Sequence, residues 1–315
     1  MQFLRDDAVM SDWNLLPPIV ENTVSSFSLP QDIRESYFKL LGFNMLQRRW
    51  MKEFITELER VEVPALIMKG HGLWGSVYHQ DYPRVSADID FLVEPENIGK
   101  VKKILGNWAP LHGKTLLHYR YDLEYPYNFR IELHWDLAAY RSFSLDFCNI
   151  WSDSFPHPMF ESDCVRTMCL EDIFIHTLIH SFNHRNLQTY MKVDLLRLLN
   201  HPRINIELIL EKARLTGCMR LMELTVASLR KTLGSEMVLP DLKVKSPGYL
   251  SQKVYDFVFK PRKRGSVFDL QRLFQFSLLD NRVNKLRNMR GAYQSYLVRL
   301  GKKITNPLGW SSDHH

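Results

Sequence analysis

Asp88 and Asp90 stand one residue apart inside the stretch YPRVSADIDFLV, Tyr82 to Val93, which otherwise has the composition of a buried strand. Burying an unpaired carboxylate is expensive, so the pair requires either a solvated strand end or a positive partner. In a strand, residues i and i+2 project to one face. Asp88 and Asp90 therefore point the same way, while Ile89 and Phe91 turn to the core. Two carboxylates held this close repel, and one tends to take up a proton unless a cation intervenes. Mg²⁺, or Mn²⁺ in its place, favours oxygen ligands and commonly uses one or two carboxylates together with substrate phosphates. A third carboxylate from a neighbouring strand would complete a two-metal site. Taken alone, Asp-x-Asp is equally compatible with plain decoration of a strand end.

The elements around the pair supply that third group. Residues 116–137 read as two strands joined by a turn at YPYN. The second strand alternates, with Arg130, Glu132, His134 and Asp136 on one face and Ile131, Leu133, Trp135 and Leu137 on the other. Glu132 is thus the candidate partner for the aspartates. Upstream, VPALIMKG (63–70) is a short apolar run ending in Lys69-Gly70, a buried strand; HGLWGSVY reads as a short helix and HQDYPR as a loop marked by Pro83. PENIGKVKKILGNW reads as a helix with Pro95 near its first turn. Residues 31–60 carry apolar positions at helical spacing, with an interruption expected near Gly42. Beyond about residue 165 the pattern is helical almost throughout, in LEDIFIHTLIHSFNH, TYMKVDLLRLL, IELILEKARLTG, CMRLMELTVASLRKTLG and FDLQRLFQFSLL. The irregular SDSFPHPMFESD marks a boundary between 140 and 165.

Glycine after a strand, Asp-x-Asp on the next strand and one acidic residue on a later strand resemble the plan of the DNA polymerase beta-like nucleotidyltransferase superfamily. More closely, LIMKG, RVSADIDFLV and IELHWDL resemble the Lys-Gly, Arg-x-x-x-Asp-Ile-Asp-x-Leu-Val and Leu-His-Trp blocks of the bacterial uncharacterised nucleotidyltransferase family. These blocks lie between residues 66 and 137, and HTLIHSFNHRNLQTYMKVDLLRLL is more loosely similar to that family's helical segment. The resemblance implies an α+β fold: a small mixed sheet over 61–140 as nucleotidyltransferase core, an N-terminal helical segment (1–60) and a larger helical region (165–315). It implies an enzyme that moves a nucleoside monophosphate from an NTP, such as ATP, to an acceptor hydroxyl. The acceptor could be a small molecule, a sugar, a protein or an RNA end.

Carried over by residue, Asp88, Asp90 and Glu132 would hold Mg²⁺ or Mn²⁺. Lys69, Gly70, Gly72, Arg84 and Ser86 would bind the nucleotide, with Gly70 admitting the triphosphate and Lys69 and Arg84 neutralising its charge. His134 would orient Glu132, and Arg130, His180 and Asp194 are further candidates near the substrate. One departure stands out. The superfamily usually has Gly-Ser or Gly-Gly after the first strand, whereas Gly70 is followed by His71; a Gly-Ser does occur at Gly75-Ser76. A degenerate member that binds nucleotide or a partner without turnover is therefore the alternative.

Two other patterns could do chemistry. His176, His180 and His184 recur every four residues, which stacks them on one side of a helix. They read either as a zinc-type pair or as satisfied histidines bordering a cleft; the glutamate of the metalloprotease motif is missing, since Thr177 follows His176. The run KPRKRG (260–265) lies in a C-terminal part, from 251 on, with 13 Lys/Arg against 4 Asp/Glu, or +9, which leaves −3 for the rest of a chain of net charge +6. The stretch 260–290 could meet nucleic acid, or it could be a solvated helical face. No apolar run reaches the roughly 18 residues of a membrane span. The N-terminus has no signal-like pattern, and the four cysteines form no CxxC pair, so a cytoplasmic protein with reduced thiols is expected.

Overall fold

The computed structural model describes residues 30–79, 84–115, 118–124, 126–137, 143–184, 188–233, 244–259 and 275–280. It opens with helix α1 (Gln31–Arg60). Leu40, Phe43, Trp50, Met51, Phe54, Ile55 and Leu58 recur along it at three- and four-residue steps, and all are buried. The helix runs through Gly42 without the expected break. That glycine is exposed, with no neighbour in reach of a Cβ, and its cost of about 1 kcal/mol is outweighed by the buried stripe.

Then come strand β1 (Ala65–Ile67), the one-turn helix α2 (Lys69–Gly72), strand β2 (Asp88–Leu92) and helix α3 (Ile98–Leu105), which is entered through a 3₁₀ turn at Pro95–Asn97. Strands β3 (Leu111–Lys114), β4 (His118–Asp122) and β5 (Arg130–His134) follow. Helix α4 (Phe147–Ser152) precedes strands β6 (Phe155–Pro156) and β7 (Val165–Thr167). The remainder is helical: α5 (Leu170–His184), α6 (Thr189–Leu199), α7 (Ile206–Thr216), α8 (Met219–Leu233) and α9 (Tyr249–Val258), with a 3₁₀ turn at Phe276–Leu278.

The seven strands form one mixed sheet in the order β3-β4-β5-β2-β1-β7-β6. The pairs β2–β5 and β1–β7 are parallel and the others antiparallel. The architecture is α+β. The sheet is larger than the pattern over 61–140 implies, because β6 and β7 come from the stretch whose composition marks a boundary. They are two and three residues long, too short for alternation to register, and β3 is mostly exposed.

Strand parity sorts the core. Ile67, Ile89, Phe91, Ile131 and Leu133 face α1 and α3, in one apolar cluster with Trp50 and Phe54. Leu66 and Leu92 face the other way, in a second cluster built from α5 to α9. The C-terminal helices therefore cover one half of that second sheet face and leave a cleft where Asp88, Asp90 and Glu132 project. Among the described residues no helix is long and apolar enough to cross a membrane. All four cysteines are free. Of the basic stretch 260–290, only 275–280 fall among the described residues.

Candidate active site

Strands β2 and β5 lie in parallel with Asp90 opposite Glu132 and Leu92 opposite His134. This register turns two distant sequence blocks into one group: carboxylate oxygens of Asp88, Asp90 and Glu132 all lie within 4.8 Å of one another. Asp90 is buried, and its Oδ1 accepts from Lys69 Nζ at 2.5 Å and from His134 Nε2 at 2.9 Å. Glu132 Oε2 stands 3.6 Å from Lys69 Nζ and 3.3 Å from His134 Nε2, and its Oε1 lies 3.5 Å from His118 Nε2. Asp88 Oδ1 accepts from the Ser86 hydroxyl at 3.0 Å.

Burial pushes the Asp90 carboxyl above the ordinary aspartate value, with Asp88 and Glu132 adding to the push and Lys69 opposing it. Burial works against Glu132 as well. There the hydrogen bond from His134 and the Lys69 ammonium outweigh it and hold the carboxyl well below its usual range. Lys69 remains an ammonium despite burial, because Asp90, Glu132 and Asp88 surround it. Its backbone is left-handed, with φ 52°, a conformation that costs a non-glycine residue of order 1–3 kcal/mol and that clusters at functional sites.

The donor set suits a hard divalent cation. Asp90 Oδ2 is buried without a hydrogen-bond partner, which is costly for a carboxylate oxygen and is what a cation ligated there would relieve. Three carboxylates from two adjacent strands also match the oxygen-ligand chemistry of Mg²⁺ and Mn²⁺.

Beside this group lies a narrow cleft with about 60 Å³ of free volume, well under the roughly 300–1,000 Å³ of small-ligand pockets, so a nucleotide would have to open it. Lys69, Gly70, Ser86 and Asp88 line one wall; His176, Thr177 and His180 of α5 and Tyr190, Met191 and Asp194 of α6 line the other. Gly70 is tightly constrained, since a Cβ there would stand 2.2 Å from Arg84 Nη1. Gly72 is absent from the lining and packs on β1 instead, where a Cβ would meet the Ile67 carbonyl oxygen at 2.7 Å. Gly75 and Ser76 are likewise absent from the lining.

Arg84 and Asp194 differ from expectation in their partners. The Arg84 guanidinium is buried, 3.0 Å from Asp194 Oδ2 and 4.3 Å over the Tyr190 ring. Asp194 also accepts from the Tyr78 hydroxyl at 2.6 Å. The two charges, both lining the cleft, are therefore committed to each other, a tie between the loop before β2 and helix α6 that adjacent sequence cannot reveal. Arg130 bonds Asp122 at 3.1 Å, away from the cleft. His71 turns away from the cleft. Its ring is buried against Gln47 of α1, with Nε2 3.2 Å from the Gln47 amide oxygen, and the Gln47 amide also donates to the Ser86 carbonyl at 2.8 Å. The rings of His176 and His180 lie 6.2 Å apart and belong to no cluster of metal-ligand geometry among the described residues. Burial drops His176 to about 3, so it is neutral. The side chain of His184 lies outside the described part of the structure.

The sequence reading passed over His118, Thr177, Tyr190 and Met191. A signal for them existed: His118, Arg120 and Asp122 alternate with Tyr119 and Tyr121, and Tyr190, Met191 and Asp194 share one face of a helix.

A model of the protein family described as uncharacterised nucleotidyltransferase matches residues 12–234. The chain is similar to a solved structure, the crystal structure of JHP933 from Helicobacter pylori, at 14% identity over 84% of this chain and 98% of that one, with a TM-score of 0.37. No curated protein matches.

Proposed function

Because the chain belongs to the uncharacterised nucleotidyltransferase family, we propose that it transfers a nucleoside monophosphate from an NTP to an acceptor hydroxyl and releases pyrophosphate. The observation that carries this reading is the convergence of Asp88, Asp90 and Glu132 beside a cleft lined by Asp88, Lys69 and Gly70. In it, the three carboxylates hold Mg²⁺ or Mn²⁺, which when bound supplies charge neutralisation at the triphosphate and a lowered acceptor pKa. Gly70 and Ser86 admit the triphosphate close to the backbone. Lys69 neutralises the carboxylates in the resting protein and turns to the phosphates in the loaded one. His134 keeps Glu132 ionised and oriented through its 3.3 Å contact. The acceptor oxygen bonds to the α-phosphorus as the bond from that phosphorus to the bridging oxygen breaks; pyrophosphate leaves, and the acceptor's hydroxyl proton passes to solvent.

One observation favours a second reading, a nucleotide-binding member without turnover. His71, standing where the superfamily usually has serine or glycine, is fully buried and offers the cleft no hydroxyl. The two readings separate when the chain is incubated with each labelled NTP, Mg²⁺ and a cell extract, following pyrophosphate release and label transfer. Metal-dependent release with labelling of an acceptor supports the transferase. Nucleotide binding without release supports the second reading, and the absence of both removes the two together.

A further inference from the structure

His118 and His134 form a directly opposed pair across β4 and β5. Their rings lie 4.7 Å apart at centroid. Between them stands Glu132, with Oε1 3.5 Å from His118 Nε2 and Oε2 3.3 Å from His134 Nε2. The three donor atoms lie within 4.8 Å of one another. Around a four-coordinate ion with bonds of about 2.0–2.2 Å, neighbouring ligand atoms are about 3.3–3.5 Å apart. Each imidazole nitrogen stands at that distance from one oxygen of the Glu132 carboxylate, His118 from Oε1 and His134 from Oε2, and an ion bound there would replace the 2.9 Å bond of His134 Nε2 to Asp90. His118 is also held from behind, its Nδ1 3.2 Å from the Thr115 hydroxyl, the kind of contact that fixes which ring nitrogen faces a metal.

We propose that His118, His134 and Glu132 form a second divalent-ion site, distinct in chemistry from the aspartate pair. Two imidazoles and one carboxylate select a borderline first-row ion, Zn²⁺ or Co²⁺, over Mg²⁺, which prefers an all-oxygen set. Three protein ligands leave a coordination position open, as in zinc sites that take a water or a substrate oxygen. His118 and Glu132 keep part of their side-chain surface, 17% and 13%, so that position has a route to solvent. Glu132 is shared: Oε2 faces Lys69 while Oε1 faces His118. The cluster of Asp153, Cys169 and Asp172 makes a contrast. There Lys212 Nζ lies 2.8 Å from Asp172 and 2.9 Å from Asp153, closer than the 3.6 Å between Lys69 Nζ and Glu132.

The test uses the full chain, stripped of metal and free of nucleotide, so its outcome is independent of any transferase activity. Titration with Co²⁺, followed by the visible ligand-field absorption of a nitrogen-ligated ion, should saturate at one equivalent and be reversed by Zn²⁺ but not by Mg²⁺. His118→Ala and His118→Gln should weaken that binding by at least roughly 100-fold, the upper end of what loss of a partner behind a ligand already costs. Asp88→Asn should leave it within a factor of two. Thermal unfolding and circular dichroism identify any variant that has lost its fold, in which case the other His118 variant decides. The proposal is overturned if no Co²⁺ absorption develops, if it persists in both folded His118 variants, or if Asp88→Asn abolishes it, since the ion would then sit on the aspartate pair.

Discussion

Asp88 and Asp90 share a strand face but not an environment. Asp88 is half-buried and bonded to Ser86, whereas Asp90 is buried and holds both Lys69 and His134. Sequence alone suggests that neutralising either one relieves repulsion; the structure separates them. Asp88→Asn should change the free energy of unfolding by no more than about 0.5 kcal/mol. Asp90→Asn breaks a buried pair, with Glu132 as the ammonium's remaining partner, and should cost roughly 1–3 kcal/mol. Both should lower transfer by at least roughly 100-fold. Equal stability of the two variants would refute the role given to Lys69. A second residue-scale prediction concerns His157. Its Nε2–H donates to the His71 carbonyl at 2.9 Å and its Nδ1 accepts from the Met159 amide at 3.2 Å. The bond at Nδ1 requires the neutral ring, and burial holds its pKa down at about 4 although the bond to the His71 carbonyl favours the charged form. The unfolded value is about 6.5, so the contribution is complete above that pH and is lost as pH falls toward 4, up to about 3 kcal/mol. His157→Gln keeps a donor for the carbonyl and removes the titration. Its stability should fall less steeply between pH 6.5 and 4 than that of the wild type, as read from urea midpoints.

The short helix α2 carries two glycines with different constraints. A Cβ at Gly72 would strike a backbone oxygen of β1, which cannot move without disturbing the sheet. A Cβ at Gly70 would strike the end of the Arg84 side chain, which can shift but only by loosening its pair with Asp194. Gly72→Ala should therefore cost stability in the overpacking range of about 1–3 kcal/mol. Gly70→Ala should cost less stability and more nucleotide affinity, because the displaced guanidinium enters the cleft. Unfolding midpoints and NTP calorimetry on the two variants check the ordering, and a larger stability loss at Gly70 would contradict it. Helix α1 lines none of the cleft, yet Gln47 ties His71 and the Ser86 carbonyl together from behind. Its contribution to the site is positional.

At the scale of the whole molecule, the cleft lies between the open half of the sheet and the paired helices α5 and α6, so ligand binding should register in global stability. With three carboxylates clustered beside it, the cleft should bind NTP weakly in the absence of a divalent cation, since like charges repel. With Mg²⁺ present, NTP at 100 times its Kd should stabilise the fold by about 2.7 kcal/mol, visible as a rise in Tm. Lys69→Ala should weaken the nucleotide term and leave Mg²⁺ affinity less affected. If NTP raises Tm equally with and without Mg²⁺, and Asp90→Asn changes neither, the aspartates are not metal ligands.

Much of this was legible in the chain before any coordinates. Period-two alternation put Asp88 with Asp90 and Glu132 with His134, because a strand's side-chain direction is a local property. Helical spacing placed α1 and α5 to α8 for the same reason. Three features belonged to the tertiary structure. The parallel register that sets Asp90 beside Glu132 joins residues 88–92 to 130–134. The turn at Lys69 swings its ammonium onto Asp90. The pairing of Arg84 with Asp194 spans more than a hundred residues. A charge's partner depends on which surfaces the fold brings together and how much water it removes from between them. Those quantities arise only when distant segments pack, and no local pattern encodes them.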